Sequence, residues 1–65
     1  MMAWTLRKDG FYLMIGNTGQ RYEICEGPHG TWILNIVGSH TVNREELQDC
    51  FEAAAQHEEE IQDEL

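Results

Sequence analysis

The sequence is short of basic side chains: four Lys and Arg stand against twelve Asp and Glu in 65 residues, a formal net charge of −8. Domains that hold nucleic acid bring Lys and Arg to the phosphates, so the overall charge excludes that class and no direct nucleic-acid binding is expected. Long apolar runs are also missing. Nothing approaches the roughly 20 residues that cross a bilayer, so no membrane association is expected. The opening stretch from Met1 to Lys8 has no cationic segment followed by an apolar one and does not read as a secretory signal. Two cysteines, Cys25 and Cys50, are too few for a disulfide framework, which makes a reduced, cytoplasmic protein the expectation. A chain of this length forms one domain at most, here residues 1–65, and buries only about 60% of the surface its unfolded form exposes.

The side chains that carry chemistry are scattered. His29, His40 and His57 are far apart in sequence, and neither cysteine has a CxxC partner, so no metal site is expected. The run Glu58-Glu59-Glu60 lacks the spacing of a calcium loop and reads as a solvated helix end. The glycine pairs Gly16/Gly19 and Gly27/Gly30 precede neither a Lys-Ser/Thr step nor a helix, so they mark turns and not a phosphate loop. Cys50 falls on an apolar helical stripe and reads as core, Cys25 reads as an inert thiol on a sheet face, and so small a domain forms no deep pocket. No catalytic residue, metal or cofactor is expected, and the chain is not read as an enzyme.

What is present is strand pattern followed by helix pattern. Four runs, residues 4–8, 11–15, 20–26 and 31–37, have strand composition and are bounded by turn residues. Asp9-Gly10 is read as a two-residue hairpin turn. It would pair Lys8 with Phe11, Leu6 with Leu13 and Trp4 with Ile15, placing Trp4, Leu6, Phe11, Leu13 and Ile15 on one face. Pro28 is read as the first central residue of a type I turn, with Gly30 left-handed after it. Gly27 then pairs with Thr31, Ile24 with Leu34 and Tyr22 with Ile36. An even-length loop at Gly16-Asn17-Thr18-Gly19 would set Leu13 opposite Tyr22. The remaining positions, among them Tyr12, Met14, Ile33 and Val37, fall on the opposite face as a mixed, partly apolar surface suited to contact with another protein.

The last third predicts an amphipathic helix over residues 43–60. Asn43 is read as its N-cap, Glu46 as the capping-box partner, and Val42 with Leu47 as a hydrophobic staple. Leu47, Cys50, Phe51, Ala54, Ala55 and Ile61 recur at helical spacing and supply a cover for the sheet. Gly38 to Val42 is read as the connection that swings the chain back across it. Residues 61–65 are expected to fray as an acidic end. The predicted fold is therefore α+β: a four-stranded antiparallel meander over residues 4–37 with one C-terminal amphipathic helix packed on one sheet face.

The charge is segregated along the chain. Residues 1–42 balance Asp9, Glu23 and Glu26 against Arg7, Lys8 and Arg21, while residues 43–65 hold nine acids and only Arg44. Glu45, Asp49, Glu52, Glu59 and Asp63 recur at helical steps on the side away from the apolar stripe, with Glu46 and Glu58 flanking and Gln56 filling the gap. Like charges at these steps each oppose helix formation by a few tenths of a kcal/mol, and the acids near the C-terminus oppose the helix dipole. Most acidic faces merely solubilise. A row of carboxylates about 5–6 Å apart also imitates the phosphates of a nucleic-acid strand, and a Lys- and Arg-lined groove would receive it.

The segments Trp4-Thr5-Leu6, Asp9-Gly10-Phe11-Tyr12-Leu13, Tyr22-Glu23-Ile24, Gly30-Thr31-Trp32-Ile33-Leu34, Glu45-Glu46-Leu47 and Phe51-Glu52-Ala53-Ala54-Ala55 give the chain a pattern similar to that of small phage and mobile-element proteins. In size and acidity it resembles anti-CRISPR proteins, among them those directed against type I-C systems. The resemblance implies a non-catalytic inhibitor in the cytoplasm of a host bacterial cell. Its partner would be a subunit of a Cascade-type CRISPR effector with a basic DNA-binding surface, blocked against target DNA or PAM. A monomer is the first expectation. The alternative is a phage protein–protein interaction or oligomerisation module acting through the outer sheet face, with Tyr12, Met14, Ile33 and Val37 as its contacts.

Overall fold

Hairpin loops decide which side of a sheet each residue faces, and the first two loops here differ by one residue from the expected lengths. The computed structural model describes residues 3–64, apart from the Glu64 side chain. Its elements are β1 (Thr5–Leu6), β2 (Tyr12–Ile15), β3 (Arg21–Glu26), β4 (Trp32–Ile36), β5 (His40–Arg44) and α1 (Leu47–Glu64). The five strands form one antiparallel sheet in chain order.

The expected β3–β4 register is present: Tyr22 opposes Ile36 and Ile24 opposes Leu34, and the Gly27 N–H donates to the Thr31 carbonyl. The turn itself differs. Thr31 N–H donates to the Pro28 carbonyl, so His29 and Gly30 are the central residues, with φ of 58° and 75°. Both are left-handed, as in a type I′ turn, whose twist matches that of the strands. Pro28 stands before the central pair and leaves His29 in a conformation disfavoured for a residue with a Cβ. Replacing His29 by Gly is expected to stabilise the fold by about 0.5 kcal/mol after glycine's larger unfolded-state entropy is counted, or about 3 °C in Tm. A thermal melt checks this.

The first two hairpins carry the main correction. Gly10 N–H donates to Arg7 O and Arg7 N–H to Phe11 O, which makes a three-residue loop, Lys8-Asp9-Gly10. Gly10, at φ 90°, takes the bulge position after the turn, and Asp9 Oδ1 accepts the Phe11 N–H. Leu6 consequently opposes Tyr12 and Thr5 opposes Leu13. The second loop, Asn17-Thr18-Gly19, also has three residues, so Met14 and not Leu13 opposes Tyr22. Because side chains alternate with period two, this single-residue shift turns β2 over. Tyr12 and Met14 face the helix, and Phe11, Leu13 and Ile15 face away from it.

The sheet has five strands where four were expected. The segment read as a connection is largely β5: a turn from Ile36 to Ser39, with Gly38 at φ 85°, returns the chain so that Val42 opposes Leu34 and His40 opposes Ile36. Its sequence, His-Thr-Val-Asn-Arg, has one apolar residue because an edge strand with one open face needs to bury only one. Asn43 thus lies in β5 opposite Ile33 and caps no helix. The helix starts at Leu47, after a bend in which the Asp49 N–H donates to the Glu46 carbonyl, and it continues to Glu64 rather than ending at residue 60. Leu65, the last residue of the expected frayed end, lies outside the described residues.

The helix crosses the sheet over β4 and β5. Cys50 and Ala54, both fully buried, let it approach Met14, Tyr22, Ile24, Leu34 and Ile36 closely. Around this centre Phe51 meets the rings of Trp4 at 4.9 Å and Tyr12 at 5.7 Å, and Tyr12 meets Trp32 at 6.3 Å. These tilted and edge-on arrangements are the ones aromatic quadrupoles favour.

Candidate functional site

The acidic row lies on the outward side of α1. Glu52, Glu59 and Asp63 are exposed, as is Gln56 between them, and Asp49 in the first turn is half-buried. Asp49 to Asp63 is 14 residues, or about 21 Å at the helical rise of 1.5 Å per residue. Glu45 and Glu46 are exposed but belong to the bend before the helix, so the helical row begins at Asp49. Arg44, at the end of β5, borders the N-terminal end of the row in a shallow depression it shares with Asp49 and Glu52.

Glu58 is not part of that surface. It lies on the apolar stripe, seven residues after Phe51 and four after Ala54, and is only 2% exposed. Its Oε2 accepts the Tyr22 hydroxyl at 2.7 Å, and its Oε1 accepts the Thr18 N–H at 3.0 Å and the Thr18 hydroxyl at 2.9 Å. Burial by itself pushes the Glu58 pKa up. The hydrogen bonds from Tyr22, from the Thr18 backbone and side chain, and from Gln62 outweigh it and hold the carboxyl below the usual carboxylate value. Burial, the bond to Glu58 and its negative charge together push the Tyr22 phenol well above its ordinary value. Gly16, buried, lies directly against the carboxyl group, where a Cβ would overlap it.

The network reaches the surface through His57, whose Nδ1 is 2.9 Å from the Tyr22 hydroxyl. That hydroxyl gives its proton to Glu58, so toward His57 it is the acceptor, with the proton of the contact on Nδ1. His57 and His40, 6.0 Å apart between ring centroids, line a shallow groove of about 250 Å³ between α1 and β5 with Arg44 and Glu60. Among the described residues no three His, Cys, Asp or Glu side chains converge as metal ligands. Burial pushes the Cys50 thiol up, which leaves it protonated and unreactive.

Glu58, Tyr22, Thr18, Gly16 and His57 form a site the sequence reading missed. A signal was there: Glu58 continues the periodic series Leu47, Cys50, Phe51, Ala54 that defines the buried face. A carboxylate at such a position calls for buried donors, and the alternation of β3 places the Tyr22 hydroxyl in the same layer.

The alternative contact face also changes. Met14 is 2% exposed inside the core and Tyr12 lies in the aromatic cluster, so neither contributes to an outer surface. Ile33 and Val37 do face away from the helix. Their neighbours there are Phe11, Leu13, Ile15 and Cys25, interspersed with Arg7, Arg21, Glu23 and Asn35.

Fold and surface together define a small α+β module, a five-stranded antiparallel meander with one C-terminal helix that displays carboxylates. No protein family, no curated protein and no solved structure matches this chain. Among the described residues no helix is long and apolar enough to cross a membrane.

Proposed function

We propose that the protein is a non-catalytic binding module whose helix α1 imitates a nucleic-acid strand and competes with DNA for a basic, DNA-receiving surface. The resemblance to anti-CRISPR proteins directs this reading to a bacterial CRISPR surveillance complex, whose target-DNA or PAM recognition would be blocked. One observation carries it: Asp49, Glu52, Glu59 and Asp63 stand along one outward side of a single helix, with Arg44 beside the row at its N-terminal end. Carboxylates so placed do no packing work and raise the helix's own electrostatic energy. Fixed on a helix, they lose little further freedom on binding. The contacts are Asp49, Glu52, Glu59 and Asp63, with Glu45 and Glu46 beside the helix entrance. Glu58 has its partners inside the protein and is not among them.

A gel-shift competition tests the reading. The protein is expected to release labelled duplex DNA from a CRISPR surveillance complex, less effectively as salt rises. The triple variant Glu52→Lys, Glu59→Lys, Asp63→Lys is expected to lose at least about 100-fold in competition, near 3 kcal/mol at 1.4 kcal/mol per tenfold. Lysines near the helix C-terminus agree with its dipole, so helicity by circular dichroism is expected to be kept or to rise. Full competition by a folded triple variant, or undisturbed DNA binding by every complex tried with the native protein, overturns the proposal.

A further inference from the structure

We propose that the open face of the sheet is the interface of a homodimer in which two copies meet sheet to sheet. This inference is independent of the role proposed for the acidic helix. The helix covers one side of the sheet only. On the other, Phe11, Cys25 and Ile33 form one cross-strand row, Leu13 lies beside Glu23 in the next, and Ile15 and Val37 flank Arg21 in the third. Ile15 is 62% exposed and Val37 38%. Phe11, Leu13 and Ile33 beside them are half-buried.

Charge distribution argues for a second copy as the occupant. The excess acids lie on the helix side, whereas this face is balanced: Arg7 is paired with Asp9 at 3.0 Å, and Arg21 and Glu23 alternate along β3. A strongly basic partner is drawn to the helix, and a strongly acidic one is repelled by the molecule as a whole. A copy of the same face meets neither obstacle, and a two-fold axis lets Arg21 of each protomer meet Glu23 of the other. Sheets stacked about 10 Å apart put the two helices on the outside of a four-layer sandwich. Their acidic rows are then separated by well over the Debye length of about 8 Å at physiological salt.

The area agrees. Five strands about 4.8 Å apart and three outward rows give a face of roughly 500 Å² per copy, or about 1,000 Å² buried in total, the floor for a specific interface. The expected dimer is accordingly modest, with a dissociation constant on the order of 10 µM.

Sedimentation equilibrium from tenfold below to tenfold above that concentration tests it. The native protein is expected to pass from monomer to dimer. Leu13→Glu with Ile33→Glu is expected to remain monomeric throughout with an unchanged far-ultraviolet spectrum. A second readout needs no destabilising change: Cys25 lies on the proposed interface and Cys50 is buried, so a short bis-maleimide linker is expected to join native protomers through Cys25 and to fail in Cys25→Ser. A native protein monomeric over the whole range overturns the proposal. So does a dimer that survives the double substitution and gives no Cys25 cross-link.

Discussion

Replacing Glu58 by Ala is expected to destabilise the protein by about 3 kcal/mol, enough to lower the melting temperature by more than roughly 10 °C in a domain of this size. The substitution removes the acceptor of the Tyr22 hydroxyl and of both Thr18 donors at once, inside a site where the carboxylate is 2% exposed. Tyr22 retains His57 as a partner, but the Thr18 N–H has none. Hydrogen bonds to a charged group contribute about 1.5–3 kcal/mol each when broken one-sidedly, and they do not add fully within one network. Glu58→Gln is expected to lose less, because an amide keeps an oxygen for Thr18 and gives an N–H to the Tyr22 hydroxyl, which then donates to His57 Nδ1 with the imidazole proton shifted to Nε2.

The same pair of variants isolates a pH effect. Glu58 titrates below its unfolded value in the native state, so its contribution is complete above the unfolded glutamate pKa of about 4.3 and is lost as the pH falls through the lower native one. Acidification also neutralises the row on α1, which relieves like-charge repulsion in native protein and variant alike. The difference in urea midpoint between native protein and Glu58→Gln is therefore the quantity to follow. It is expected to be largest at neutral pH and to shrink in acid. A difference independent of pH would falsify the assignment of Glu58 as a buried carboxylate stabilised by its donors.

Gly16→Ala is expected to destabilise by about 2 kcal/mol, within the 1–3 kcal/mol typical of overpacking. The glycine is needed for space and not for backbone freedom. A Cβ there would overlap the Glu58 carboxyl group, and that group is held by Tyr22 and Thr18 and cannot swing aside without giving up its donors. Coupling makes the expectation specific. In a Glu58→Ala background the obstacle is gone, and Gly16→Ala is expected to be neutral or to stabilise by about 0.5 kcal/mol through the unfolded chain. Equal losses in both backgrounds, measured by urea unfolding, would show that Gly16 is not set by Glu58.

Much of the architecture is written in local pattern. Alternating runs separated by glycine turns specify an antiparallel meander, the series Leu47, Cys50, Phe51, Ala54 specifies one amphipathic helix, and the net charge of −8 falls almost wholly after residue 42. The β3–β4 register was legible because only one pairing puts Tyr22, Ile24, Leu34 and Ile36 on a common face. The face of β2 was not legible. Tyr12-Leu13-Met14-Ile15 is apolar at every position, so either face satisfies the core, and loop lengths decide between them: one residue more at Asp9-Gly10 and one fewer between Gly16 and Gln20 than the pattern suggests. The polar edge strand β5 was hidden for a related reason: a strand that buries one side chain has no alternation to recognise.

The candidate site divides in the same way. The sequence by itself determined that an acidic, helical row exists at Asp49, Glu52, Glu59 and Asp63, because helical spacing fixes which residues share a side. Only the tertiary structure decided that Glu58, one step around the helix, belongs to the interior. That depends on Gly16, Thr18 and Tyr22, some forty residues earlier, arriving opposite it with three donors and no Cβ in the way. Helical periodicity assigns a side chain to a direction. What waits in that direction, solvent or a ring of hydrogen-bond donors, is a property of the folded chain.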